Sequence, residues 1–302
     1  MTTRRPYGDW WVGQGNAQPG RGDSRSGRGD SRGLALLVGT AYRKGGLVVS
    51  LSAEETERFV EDGFVKLAGA FPADVGERCV RELWAATGCS RDDPATWTEP
   101  VVRLGGFSTP PFREAATTPS LHAAFDALVG EGSWAPLGGL GTFPVRFPSD
   151  QEPGDDGWHV EASYAGERGE PRVNHRSRNR ALLLLFLFSD IGPDDAPTRI
   201  RAGSHRDVAP LLAPAGEDGR EWMSLCAEAV RVSEHRPVVY ATGTVGDVYL
   251  CHPFLVHAAQ QHHGRTPRFM AQPPLHPVGS LDPHAQHPSP VERALAVASP
   301  GR

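Results

Sequence analysis

The apolar positions fall into two textures. Ser52 and Glu55 form an S-x-x-E capping box, and the residues after them predict a helix to about Glu61, stopped by Gly63. Phe64 to Leu67 predicts a strand. A second helix is expected from Pro72, where proline suits the first turn, with Val75, Cys79, Val80, Leu83 and Trp84 on one face. A third is expected near Pro119, burying Leu121, Phe125, Leu128 and Val129. Beyond Trp134 the helical period gives way to short apolar runs separated by Gly, Pro, Asn and Asp. These runs are Phe143–Phe147, Trp158–Glu161, Ala181–Phe188, Thr198–Arg201, Val248–Cys251, Phe254–His257 and Arg268–Ala271. Many short strands with turn signals predict a mainly β fold with flanking helices, a sandwich or barrel. One helix, about Glu221 to Val230, interrupts them.

The ends read differently. Residues 1–49 carry Gly20 to Arg25 again as Gly27 to Arg32. Gly, Ser, Arg and Asp bury too little to offset their ordering entropy, so an extension without its own core is expected. The chemistry-bearing body is expected over residues 50–272. The Pro- and His-rich tail, 273–302, is expected to hold one short helix near Val291–Val297.

Composition narrows the function classes. The 302 residues are 39% hydrophobic, with 12 Phe and 7 Trp, enough for a sizeable core. The net charge of −5 excludes a globally basic nucleic-acid binder. The first fifty residues carry an excess of five positive charges, so the remainder carries ten negative ones. No run approaches the ~18 apolar residues of a membrane span. The four cysteines form no C-x-x-C pair and no signal peptide is read at the start, so reduced thiols in a cytoplasmic protein are expected. The expected partner is a small-molecule substrate, with no nucleic acid, membrane or obligate protein partner.

Candidate chemistry begins at His159 and Glu161. On a strand, residues i and i+2 share a face, which sets an imidazole beside a carboxylate. By itself this pair is an ordinary solvated strand face. His252 and His257 lie in a later segment, Gly246–Ala259. Two His and one carboxylate from distant segments form the facial triad of non-haem Fe(II) enzymes. They also suit catalytic zinc, so a hydrolase is the first alternative. Arg268, eleven residues after His257, could capture a carboxylate through its forked guanidinium.

From Leu51 to Ala271 the chain resembles the phytanoyl-CoA dioxygenase family of Fe(II)/2-oxoglutarate oxygenases. The resemblance rests on Glu61–Phe71, the His159-x-Glu161 pair, the turn Ala202–His205, and Gly246–Ala259 followed by Arg268. It implies a double-stranded β-helix, a jelly-roll or cupin-like barrel with helices outside. It implies that His159, Glu161 and His257 bind iron. The family's distal His precedes the 2-oxoglutarate arginine by eleven residues, which selects His257 over His252. Arg268 would then bind 2-oxoglutarate, with Thr198 assisting. The implied activity is O₂-dependent hydroxylation of an unactivated C–H bond in a small molecule, releasing succinate and CO₂. The family usually has Asp where Glu161 stands, so a catalytically decayed binding protein is a second alternative. Halogenating relatives have a small residue there, and Glu161 argues against halogenation. His205, His262 and His263 are expected in loops. Arg103, Asn174, Arg178 and Arg180 are expected at the surface, where they could meet a polar substrate.

Overall fold

The computed structural model describes residues 50–296. The expectation for residues 1–49, and the last few residues of the tail, lie outside the described residues. Seven helices are described: α1 (Ala53–Asp62), α2 (Ala73–Thr87), α3 (Pro110–Ala116), α4 (Pro119–Val129), α5 (His205–Leu212), α6 (Trp222–Val232) and α7 (Pro290–Ala296). The strands are β1 (Phe64–Leu67), β2 (Val101–Leu104), β3 (Phe143–Arg146), β4 (Tyr164–Ala165), β5 (Pro171–Val173), β6 (Leu182–Leu187), β7 (Arg199–Arg201), β8 (Arg220–Glu221), β9 (Val238–Tyr240), β10 (Val248–Cys251), β11 (His257–Ala258), β12 (Met270–Ala271) and β13 (Pro274–Leu275).

Local chemistry accounts for the helix ends. Ser52 Oγ accepts from Glu55 N at 3.2 Å, and Ser52 N donates back to the Glu55 carboxylate at 2.8 Å, which closes the capping box. Gly63 ends α1 in the left-handed region, φ 81°. A Cβ there would also lie 2.5 Å from His205 Nδ1, so glycine is required twice over. Glu221 caps α6 through Met223 N and Ser224 N. Two helices, α3 and α5, were not expected. Each is short, and α5 carries Pro210 within it, which weakens its sequence signal.

All strand pairs are antiparallel. The largest sheet has the order β1-β10-β6-β12, with β13 also pairing β6. The rest form smaller sheets, β11-β7-β9, β2-β3 and β4-β5-β8. Strand β6 is buried at every residue because both of its faces are covered, which explains its unbroken apolar run. On one face Leu183, Leu185 and Leu187 pack with Tyr249 and Cys251 of β10, Met270 of β12 and Ile200 of β7. On the other, Phe186 and Phe188 meet Phe71 at 6.0 and 5.0 Å, and Phe188 meets Phe112 of α3 at 6.0 Å. The core thus lies between the large sheet and β7 on one side and an aromatic layer under the helices on the other. Beyond residue 272 the chain adds β13 to the large sheet, and α7 packs on α1, α4 and α5.

Three expected strands depart most from their apolar runs. Trp158–Glu161 forms no strand; only His159 bridges, to His257. Of Phe254–His257 only His257 is in a strand, because Pro253 and Phe254 form a turn closed by Leu255 N donating to His252 O at 3.0 Å. Arg268 makes a single bridge to Arg146 before β12 begins.

Candidate functional site

His159 and His257 exchange both backbone hydrogen bonds, each N–H donating to the other's carbonyl at 2.9 Å. Such a pair projects its side chains to one face, and the ring centroids lie 4.5 Å apart. The His159 segment thereby becomes a one-residue extension of β11, which pairs with β7. No ladder continues along it because side chains take its carbonyls. Trp222 Nε1 donates to Val160 O at 2.6 Å, and Arg180 Nη2 donates to Ala162 O at 3.2 Å. Trp158, next in the chain, lies between the guanidiniums of Arg199 and Arg201, at 4.9 and 4.5 Å.

The tautomers are set by the same device on both rings. His159 Nδ1 lies 2.8 Å from Gly157 O, and His257 Nδ1 lies 2.9 Å from Leu255 O. A carbonyl can only accept, so Nδ1 carries the proton and Nε2 offers its lone pair. Burial, with His257 beside it, holds His159 neutral, its pKa lowered to about 4. Glu161 Oε1 lies 3.4 Å from His257 Nε2, and its Oε2 lies 3.3 Å from Arg180 Nη2. Burial opposes ionisation of this carboxyl, but the Arg180 guanidinium beside it acts the other way, and the pKa is lowered to about 2. One donor atom from each of His159, Glu161 and His257 falls within 4.8 Å of the others. Two imidazoles that turn Nε2 lone pairs toward one carboxylate, buried and pre-oriented, fit a divalent transition metal.

Arg268 enters from the other sheet. It is 1% exposed. Nη1 donates to Ala196 O at 2.6 Å and Nη2 to Pro144 O at 3.1 Å. Its Nε is buried without a hydrogen-bond partner among the described residues. A buried guanidinium with a spare donor suits a carboxylate ligand. Thr198 lies two residues beyond Ala196; its hydroxyl is buried and its contact is the weak acceptor Met270 Sδ at 3.9 Å.

Other sequence-singled residues lie elsewhere. His252 is buried against His205, with ring centroids 4.9 Å apart, and its Nδ1 accepts from Phe254 N. His205 opens α5 rather than sitting in a loop, and its ring Nε2 meets Val60 O at 3.1 Å. His262 is buried in its loop, Nε2 on Thr266 O, while His263 is exposed. Two residues expected at the surface are interior. Asn174 is fully buried and accepts from Arg178 N. Arg180 is 2% exposed; it lies two residues before Leu182, where β6, the strand covered on both faces, begins. That position was its one available sequence signal. Trp222 gave no signal, since its role depends on Val160, distant in sequence.

The family's sequence pattern matches residues 105–270, more than half of the chain. This chain belongs to the phytanoyl-CoA dioxygenase family. A comparison with curated proteins returned no match. Among solved structures, it is similar to the non-haem α-ketoglutarate-dependent carbocyclase SnoK from nogalamycin biosynthesis. The TM-score is 0.52 at 16% identity, covering 75% of this chain and 84% of that one. It is similar to the epimerase SnoN, solved with Fe³⁺, α-ketoglutarate and nogalamycin RO, with TM-score 0.50, 19% identity and coverage of 72% and 80%. HygX from Streptomyces hygroscopicus, solved with nickel and 2-oxoglutarate, gives 0.47 and 19% over 74% and 86%. At these identities SnoK and SnoN establish a shared fold. No described helix is long and apolar enough to cross a membrane.

Proposed function

We propose that this phytanoyl-CoA dioxygenase family member is an Fe(II)- and 2-oxoglutarate-dependent oxygenase that hydroxylates a C–H bond of a small organic molecule. The finer architecture proposed is the family's double-stranded β-helix, the two sheets bringing the triad and Arg268 to one pocket. The observation that carries the functional reading is the pair of imidazoles whose Nδ1 atoms are tied to their own backbone, leaving both Nε2 atoms beside the ionised Glu161.

His159, Glu161 and His257 would hold Fe(II), and Arg268, with Thr198, the far carboxylate of 2-oxoglutarate. When bound, the iron supplies the redox chemistry that couples O₂ and 2-oxoglutarate to substrate oxidation, with succinate and CO₂ released. The chain contributes orientation and shielding. The mutual backbone bonds of the two histidines fix their separation. Arg180 lies against the second oxygen of Glu161, so that this residue, one methylene longer than aspartate, would offer its other oxygen to the metal. Trp222 anchors the backbone between the first two ligands and lies with its ring 6.2 Å from His159. The four cysteines form no disulfide, in keeping with a reducing, cytoplasmic setting.

Anaerobically purified protein reconstituted with Fe(II) is expected to convert 2-oxoglutarate to succinate, faster with a true substrate than without. The His257→Ala variant is expected to lose iron and turnover while His252→Ala keeps both. Zinc-supported hydrolysis with no succinate would overturn the reading in favour of a hydrolase.

A further inference from the structure

Arg146 and Arg268 exchange both backbone hydrogen bonds, at 3.1 and 2.8 Å. Directly opposed residues in an antiparallel bridge share a face, so the two guanidiniums start from neighbouring positions on one side. Both are almost wholly buried, 2% and 1% exposed. One buried carboxylate accompanies them. Asp155 takes Arg146 Nη2 on both of its oxygens at 2.8 Å, and also the half-exposed Arg103 at 2.5 Å. Arg268 has only carbonyl oxygens as partners. Three guanidinium nitrogens, Arg146 Nε and Nη1 and Arg268 Nε, are buried without a hydrogen-bond partner among the described residues.

Two buried cations against one buried carboxylate leave an excess positive charge in a region shielded from water. Unpaired buried charge is costly. Burial, and then Arg146, weakens the hold of Arg268 on its proton, as expected for guanidiniums that repel one another. A carboxylate bound against both would supply the missing charge and acceptors for the spare donors.

We propose that Arg146 is a second binding residue for the acidic co-substrate, forming with Arg268 a two-arginine cradle for the carboxylate remote from the metal. The inference rests on the oxygenase reading. In that arrangement Asp155 balances one guanidinium and the incoming carboxylate balances the other. The cradle would give the site its preference for a dicarboxylic 2-oxo acid over a monocarboxylic one.

The test is calorimetric binding of 2-oxoglutarate and of pyruvate to the Fe(II)-loaded protein under nitrogen. Pyruvate shares the 2-oxo acid end and lacks the far carboxylate. Arg146→Met is expected to weaken 2-oxoglutarate roughly 10- to 150-fold, the loss of a charge-assisted pair, and to leave pyruvate within about threefold, the range of ordinary context effects. Arg146→Lys is expected to recover part of the loss. If Arg146→Met does not fold, the double change Arg146→Met with Asp155→Asn removes the buried pair together and carries the same expectation. Unchanged 2-oxoglutarate affinity in a folded variant, or equal weakening of both acids, would overturn the proposal. Failure of the wild-type protein to bind 2-oxoglutarate at all would instead overturn the oxygenase reading.

Discussion

Glu161 is the residue at which this chain departs from its family, and the structure supplies a physical setting for the extra methylene. The carboxylate is shared between His257 Nε2 at 3.4 Å and Arg180 Nη2 at 3.3 Å. A shorter side chain would have to give up one of them. Glu161→Asp is therefore expected to lower iron affinity by about 10- to 100-fold, the usual scale for disturbing ligand orientation. Coupled succinate formation is expected to fall with it. Metal titration followed by a turnover assay checks this; a gain in both would instead mark a decayed aspartate site. The convergence of His159, Glu161 and His257 was legible through residue type, order and the eleven-residue step to Arg268 that the family resemblance implies. Arg180 was not, since an arginine in a polar stretch, Asn174 to Arg180, looks solvated until the burial of the following strand is known.

Among the elements, the segment carrying His159 and Glu161 departs most from expectation. An apolar-polar alternation predicts a strand, yet Trp158 to Glu161 has one bridge and is otherwise held by side chains from α6 and by Arg180. Strand β10 and the Ser52 cap were legible because period and capping chemistry are local. The side-chain anchoring of Val160 was not, because Trp222 lies far along the chain. Removing that anchor in Trp222→Phe leaves a buried carbonyl short of its principal donor, a cost of about 1–3 kcal/mol. The melting temperature is expected to fall by about 2–4 °C per kcal/mol for a domain of this size, and iron affinity to fall with it. Thermal denaturation with and without Fe(II) separates the two effects. An unchanged iron affinity would show that the bridge to His257 holds the ligands without help.

At the scale of the molecule, the site belongs to a larger set of buried imidazoles. His205 and His252 meet, their rings tilted, where α1, α5 and the end of β10 converge, and both are fully buried. Burial lowers the pKa of His205 to about 4, with Arg206 and Arg236 acting the same way and Val60 O and Asp207 opposing. Burial and His205 lower His252 further. An unfolded imidazole takes its proton near 6.5, so between that pH and about 4 the unfolded chain binds more protons than the folded one. The stability of the neutral pair is full above pH 6.5 and is lost as the pH falls through this window, by up to about 1.4 kcal/mol per pH unit for each proton. Urea unfolding at pH 8, 6 and 5 measures the slope. His252→Phe, which keeps a ring beside Phe59 and Phe254, is expected to reduce it by about one proton. Equal slopes would place the acid sensitivity elsewhere. The mixed architecture was legible from texture alone, whereas the attachment of β13 and α7 to the body was hidden in a Pro-rich stretch without a clear period.

The reciprocal backbone bonds between His159 and His257 have a kinetic consequence. They close a loop of about a hundred residues, a contact whose entropy cost falls late in assembly. An unfolded chain holds His159 and Glu161 close together, whereas His257 joins them when the sheets have formed. A metal held by all three would then stabilise the finished state far more than the transition state, and would retard unfolding while leaving the folding rate nearly unchanged. Apoprotein would accumulate folded during iron shortage and be loaded afterwards without refolding.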